Sequence, residues 1–247
     1  MSRRGPGQSL RRLAKAVGVG RAARWLQRPQ EEPPGRRRSR LDHEHMTLLI
    51  ALGLVEDSNC IDVGAHIGSV LADIVRVAPL GRHIAYEPLP HLAAELAARF
   101  PSVDVRQAAL SDQNGTASFN WVKNAEPYSG LYRRPYPVAP DIEGITVRTE
   151  KLDDHLPDGY VPHLIKIDVE GAALYVLRGA TETLRRYRPL LLVEYGRKAT
   201  RWTGTTADDM YEFLTGSKYR IYDLDGNGPY SQEEFRVTDY YNFVCHH

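Results

Sequence analysis

From residue 45 onward the chain alternates between two hydrophobic periods. "HMTLLIALGLV", "SVLADIVRVA" and "HLAAELAARF" place apolar residues at helical spacing, whereas "NCIDVG", "HIAYEP" and "VDVRQAAL" are short apolar runs closed by turn-forming or charged residues. Helix-like and strand-like runs alternating at this pitch predict βαβ units around a parallel sheet. The middle departs from that pattern. "GTASFNWV" and "GITVRTEKL" predict two further strands, joined by the Pro- and Tyr-rich "KNAEPYSGLYRRPYPVAPDIE". A connection of that length is expected to be a functional lid or a mobile segment. The βα alternation then resumes with "HLIKIDVEG", "AALYVLRGATETLRRY", "PLLLVEYG" and "TADDMYEFLTGS". At the end, "YRIYDLDGNG" reads as a strand with a turn and "YYNFVCHH" as a closing antiparallel strand.

Charge divides the 247 residues unevenly. Residues 1–40 hold 12 basic and 2 acidic residues, and residues 41–247 are net −9. We therefore expect a basic, flexible extension over 1–40 and one globular domain over 41–247. Arg11, Arg12, Lys15, Arg21, Arg24 and Arg28 lie among Leu10, Leu13, Val17 and Leu26 as an imperfect amphipathic helix broken by Gly18 and Gly20. "EEPPGRRRSR" follows as a linker. A solvated tail is the plainest reading; peripheral contact with a membrane surface, RNA or an acidic partner, and an organellar transit peptide, are the alternatives. No run reaches the ~18 apolar residues of a membrane span, so a soluble, cytoplasmic protein is expected. Cys60 and Cys245 sit in strand-like runs without metal spacing and are expected to be buried free thiols.

The candidate chemistry gathers at strand ends, where open α/β sheets bind ligands. "CIDVGAHIGSV" puts Asp62, Gly64 and Gly68 at the first βα turn, with neither a dinucleotide fingerprint nor a P-loop. An aspartate there repels a pyrophosphate but suits a cationic ligand, and S-adenosylmethionine carries both an ammonium and a sulfonium. Glycines would let the backbone approach it, although a plain turn explains them too. Glu87, in "AYEP", is placed to accept hydrogen bonds from ribose hydroxyls. Ser111 and Asp112, in "ALSDQNG", fall where adenine-edge contacts occur, or simply form a turn. In "LIKIDVEG", Lys166 and Asp168 share one face of a strand, and Glu170 joins them if the strand persists. Charges on an apolar strand are costly to bury unless they pair or work. Glu194 ends the next strand. His66 is a weaker candidate base and more simply a structural histidine.

Together "IDVGAHIGSV", "AYEP", "ALSDQNG", "LIKIDVEGAALYVLRGA" and "LLLVEYG" resemble the FkbM-type methyltransferase family over roughly residues 45 to 200. The "KIDVEG…VLRGA" block carries most of the resemblance. It implies a Rossmann-like, doubly wound, mostly parallel seven-stranded sheet with S-adenosylmethionine as methyl donor. The implied reaction is O-methylation of a hydroxyl on a sugar, glycolipid or secondary metabolite, with a small-molecule or glycan acceptor as partner. Asp168 is then the first choice for the base that takes the hydroxyl proton and Glu170 the second, with Lys166 orienting the carboxylate or stabilising a developing oxyanion. The rivals are an RNA-directed methyltransferase using the basic tail and a non-catalytic scaffold that binds an adenosyl ligand. The acidic core argues against a nucleic-acid partner. "DLDGNGPYSQEE" matches a calcium-loop pattern, but strand-like residues precede it and no exiting helix is apparent, so a hairpin turn and no metal are expected.

Overall fold

The structure is a computed structural model that describes residues 34–136, 139–196 and 201–247. Most of the basic extension, including its expected amphipathic helix, lies outside the described residues. The chain divides into two compact units, residues 1–41 and residues 42–247. The expected linker is corrected in part, because helix α1 (Pro34–Gly53) begins at Pro34 and runs through the arginines. Proline is well tolerated in a first helical turn, and straight-chain arginines are good helix formers.

The sheet of the second unit contains β1 (Cys60–Val63), β2 (His83–Tyr86), β3 (Val103–Arg106), β7 (Leu164–Ile167), β8 (Leu190–Glu194), β9 (Arg220–Asp223) and β10 (Asn242–His246). Their order is β3-β2-β1-β7-β8-β10-β9. Only β10 runs against its neighbours, pairing antiparallel with β8 and β9. The fold is thus the expected α/β, doubly wound, mostly parallel seven-stranded sheet. Every residue of β1, β2 and β7 is buried, as a parallel sheet covered on both faces requires. One face of β1 and β7 gives Ile61, Val63, Ile165 and Ile167 to the main core; the other gives Cys60 and Leu164 to a second core with Ile50 and Ile74. Both cysteines are buried and free.

Helices α2 (Ser69–Val77) and α3 (Pro90–Arg99) follow β1 and β2 as the helical spacing predicts. "VDVRQAAL" divides into β3 and β4 (Ala109–Leu110), and β4 leaves the main sheet for a three-stranded one, β4-β6-β5. Here the two middle strands, β5 (Gly115–Val122) and β6 (Ile142–Glu150), pair antiparallel. The helix α4 (Leu152–His155) follows. "AALYVLRGATETLRRY" is likewise two helices, α5 (Ala173–Arg178) and α6 (Thr181–Tyr187), separated at Gly179. A Cβ on Gly179 would lie 2.0 Å from the Ser111 carbonyl oxygen, so the break lets the β4–β5 turn pack against it. After α7 (Ala207–Gly216) and β9, a further helix, α8 (Gln232–Val237), stands where a simple hairpin is expected. Its start is a capping box between Ser231 and Glu234. No described helix is long and apolar enough to cross a membrane.

Candidate active site

Beyond the carboxyl ends of β1, β2 and β7 lies a cleft of about 790 Å³, including space open to solvent. Small-molecule sites span this size range. Val63, Tyr86, Leu89, Ala109, Leu110, Phe119 and Leu131 give it apolar walls, and Glu87, Glu126, Asp168 and Glu170 give it four carboxylates. His66 lines it, whereas no described lysine or arginine does. The Pro- and Tyr-rich segment supplies a wall, through the 3₁₀ turn Glu126–Tyr128 and residues 129–131. Glu126 is fixed there by Trp121 Nε1 at 3.0 Å and His91 Nε2 at 2.9 Å.

The residues of the first turn divide between the cleft, which Gly64 and His66 line, and the sheet beneath it. Asp62 is fully buried, lies outside the cleft lining, and faces Lys166, its register partner on β7. Lys166 Nζ is 3.1 Å from Asp62 Oδ1 and 3.5 Å from Asp168 Oδ2, and donates a 2.8 Å hydrogen bond to the Gly64 carbonyl. Lys166 therefore ties β1 to β7 beneath the site instead of facing an acceptor. Burial raises the Asp62 pKa while the Lys166 charge opposes the rise. Gly64 has a left-handed φ of 76°, and a Cβ there would lie 1.9 Å from the Asp168 carbonyl oxygen. Gly68 is packed against Leu96 and Phe100, outside the cleft lining. Close neighbours thus constrain both glycines, and Gly64, unlike Gly68, also lines the cleft. Asp112 also lies outside the lining and accepts from Ser111 Oγ at 3.3 Å, as a turn residue does.

Glu87 is where the acid after β2 is expected, in the cleft and only 4% exposed. Its two oxygens accept the backbone N–H groups of His66 and Leu89 at 2.8 and 2.9 Å. Burial raises its pKa, and these two donors pull it back. Each carboxylate oxygen retains acceptor capacity beyond one such bond. His66 is held in the left-handed region, with φ 50°, by the bond to Glu87. Burial lowers its pKa, which favours a neutral imidazole.

Asp168, Glu170 and Glu194 bring carboxylate oxygens within 4.8 Å of one another. β7 ends at Ile167, so strand alternation does not deliver Glu170. A left-handed turn through Glu170 (φ 55°) and Gly171 (φ 96°) does so instead. Arg134, from the inserted segment, forms an ion pair with Glu170, and its guanidinium lies over the Tyr128 ring. No local sequence signal announces that pair. Asp168 is the accessible member, its side chain 47% exposed. Burial works to raise its pKa, but Lys166 and a hydrogen bond from Glu194 hold it below the ordinary value. Burial pushes Glu170 up to about 8, with Asp168 adding to the rise and Arg134 opposing it. Three such oxygens resemble a cation donor set, but Lys166 and Arg134 already supply counter-charge, and we assign them no metal.

The calcium-like segment is a self-satisfied turn. Buried Asp223 accepts the Asp225 and Asn227 N–H groups, the Asn227 side-chain amide and the Tyr230 hydroxyl, all at 2.8–2.9 Å.

No described lysine or arginine lines the cleft to face a phosphate, while Glu87, Glu126 and Asp168 offer carboxylate acceptors within it. The chain is similar to several solved structures. The plantazolicin methyltransferase BpumL, in complex with SAH, is 12% identical over 98% of both chains, with a TM-score of 0.45. An O-methyltransferase from Bacillus cereus, also in complex with SAH, is 12% identical over 99% of this chain and 91% of that one, with a TM-score of 0.45. Precorrin-6y C5,15-methyltransferase from Geobacter metallireducens is 16% identical over 82% and 85%, with a TM-score of 0.44. No curated protein matches the chain. The model of the methyltransferase FkbM domain matches residues 62–221, more than half of the chain. The chain belongs to the FkbM methyltransferase family, and S-adenosylmethionine is its methyl donor.

Proposed function

We propose that the methyl group is transferred to a hydroxyl oxygen of a sugar, glycolipid or secondary metabolite, with Asp168 taking the hydroxyl proton. The observation that supports this reading is Asp168 itself, half exposed in the cleft yet biased toward its ionised form by Lys166. When bound, the donor supplies a methyl carbon already activated by its sulfonium. The chain then has to orient an acceptor and remove its proton. Glu87 offers acceptors to a ribose diol at the end of β2, while ionised Asp168 sets a negative field that suits the donor's cationic groups. The apolar walls around Phe119 and Leu131 limit water. An aliphatic hydroxyl is a weak nucleophile, and a carboxylate within hydrogen-bond reach relieves its developing positive charge.

Calorimetry with S-adenosylmethionine, its demethylated product and NAD tests the donor side, and binding of the first two without NAD is expected. Mass spectrometry of host extracts with and without the gene tests the acceptor side. The expected difference is one methylene unit on a hydroxyl-bearing compound. A gene-dependent N-methylated product with no O-methylated one overturns the acceptor assignment.

A further inference from the structure

Resting on that reading of Asp168, we propose that Glu194 is its positioning residue, a carboxylic acid at the end of β8 that donates a hydrogen bond to the Asp168 carboxylate. β7 and β8 are parallel neighbours, with Ile167 paired to Val193, so Asp168 and Glu194 are the next residues along both strands. Their carboxyl oxygens lie within 4.8 Å. Two carboxyl groups this close do not ionise independently; one retains a proton across a wide pH range.

Counting charges assigns the proton. Lys166 contacts Asp62 and Asp168, and Arg134 is paired with Glu170. Among the described residues no ion pair reaches Glu194. On its other flank Glu194 meets Asn242, its register partner on β10, a neutral side chain whose amide donates to Asp42 at 3.0 Å. Burial first, then the charges of Asp168 and Glu170, raise the Glu194 pKa well above the ordinary value, with Arg134 opposing them. Asp168, the member that reaches the cleft and the Lys166 ammonium, carries the negative charge. During methyl transfer the acceptor proton goes to Asp168, and Glu194 keeps its own.

A ¹³C-carboxyl NMR titration of the full-length protein, without donor or acceptor, tests this, with Asp168→Asn and Glu194→Gln spectra assigning the two signals. Glu194 is expected to keep the shift of a protonated acid at neutral pH while Asp168 is ionised. Glu194→Gln, which still donates, leaves the Asp168 midpoint low. Glu194→Leu, which removes the donor, moves it upward. If Glu194 were instead an ionised neighbour, Glu194→Leu would move the Asp168 midpoint downward. That result, an unchanged midpoint, or a Glu194 signal titrating near the ordinary glutamate value of 4.5, overturns the proposal. Because no donor is present, failure of S-adenosylmethionine binding in calorimetry would overturn the proposed function without touching this result.

Discussion

Asp168 and Asp223 occupy matching places, each an aspartate at the carboxyl end of a strand with a glycine-containing turn behind it. They have opposite fates. Asp223 is fully buried and receives four hydrogen bonds from its own turn and Tyr230, which fill the acceptor sites of both oxygens. Asp168 gives its backbone N–H to Val63 in the sheet, but among the described residues its side chain meets only a lysine shared with Asp62 and the neighbouring carboxyl groups. One acid is consumed in holding a loop; the other keeps acceptor capacity facing a cleft. An acid at a strand end therefore marks chemistry only when its own turn leaves it unsatisfied.

The largest expected effect breaks the foundation on the Asp168 side. Lys166→Met keeps most of the side-chain volume but leaves Asp62 buried without its cation. Removing one member of a buried pair costs about 3–5 kcal/mol, so urea denaturation should show a loss of that size. An unchanged midpoint would mean that Lys166 does not support the scaffold. Asp168→Asn comes next. Lys166 still has Asp62 and the Gly64 carbonyl, so stability should stay within about 1 kcal/mol of wild type. Single-turnover methyl transfer should fall by ~10² or more with donor affinity retained. A destabilised but fully active variant would move Asp168 to the structural side of the comparison and leave Glu170 as the base to test.

Asp223→Asn gives the reverse signature. Its amide cannot accept from both Asn227 and Tyr230, and leaving such partners unmatched costs about 1–3 kcal/mol in thermal or chemical unfolding. Activity per folded molecule should be unchanged. A loss of turnover without a loss of stability would show that the β9 turn reaches the site.

Much of this contrast was legible in the sequence, for reasons that are local. The apolar runs of β1, β2, β7 and β8 and the helical spacing of α2 and α3 predict the parallel sheet, and its topology places Glu87 and Asp168 at the cleft. The capping box Ser231–Glu234 is a local signal for α8 that the hairpin reading of "YRIYDLDGNG" leaves unused. Asp62 pointed to a ligand because the sequence does not state strand register, and register is what gives it Lys166. Of the two glycines, Gly64 lines the cleft and Gly68 packs on Leu96 and Phe100, a division the sequence does not show because a glycine's neighbours are not written beside it. The Arg134–Glu170 pair had no signal at all. It joins an irregular segment to a left-handed turn, and neither has a periodicity from which a contact can be read.

The smallest effect concerns Glu170, which stands between the two extremes as a carboxylate in the cleft that nevertheless has a cation. In the folded state its pKa rises from 4.5 to about 8. Between those values the folded chain binds more proton at Glu170 than the unfolded chain does, so this residue's contribution to stability is full below the lower value and declines as pH rises to the upper one. Glu170→Gln removes that decline along with the ion pair to Arg134. The variant can therefore melt lower in absolute terms, and the informative quantity is the difference in melting temperature, variant minus wild type, as a function of pH. That difference should increase across the window and level off above about 8. Asp62 and Glu194, whose pKa values are also raised, leave a slope of the same sign in both proteins; at Glu194 the variant's slope is the shallower, because the Glu170 charge that helps raise it is gone, and this adds to the difference in the same direction. A difference that is flat with pH would mean that Arg134 keeps Glu170 ionised throughout. Glu170 would then belong with Asp223, as an acid spent on holding a loop.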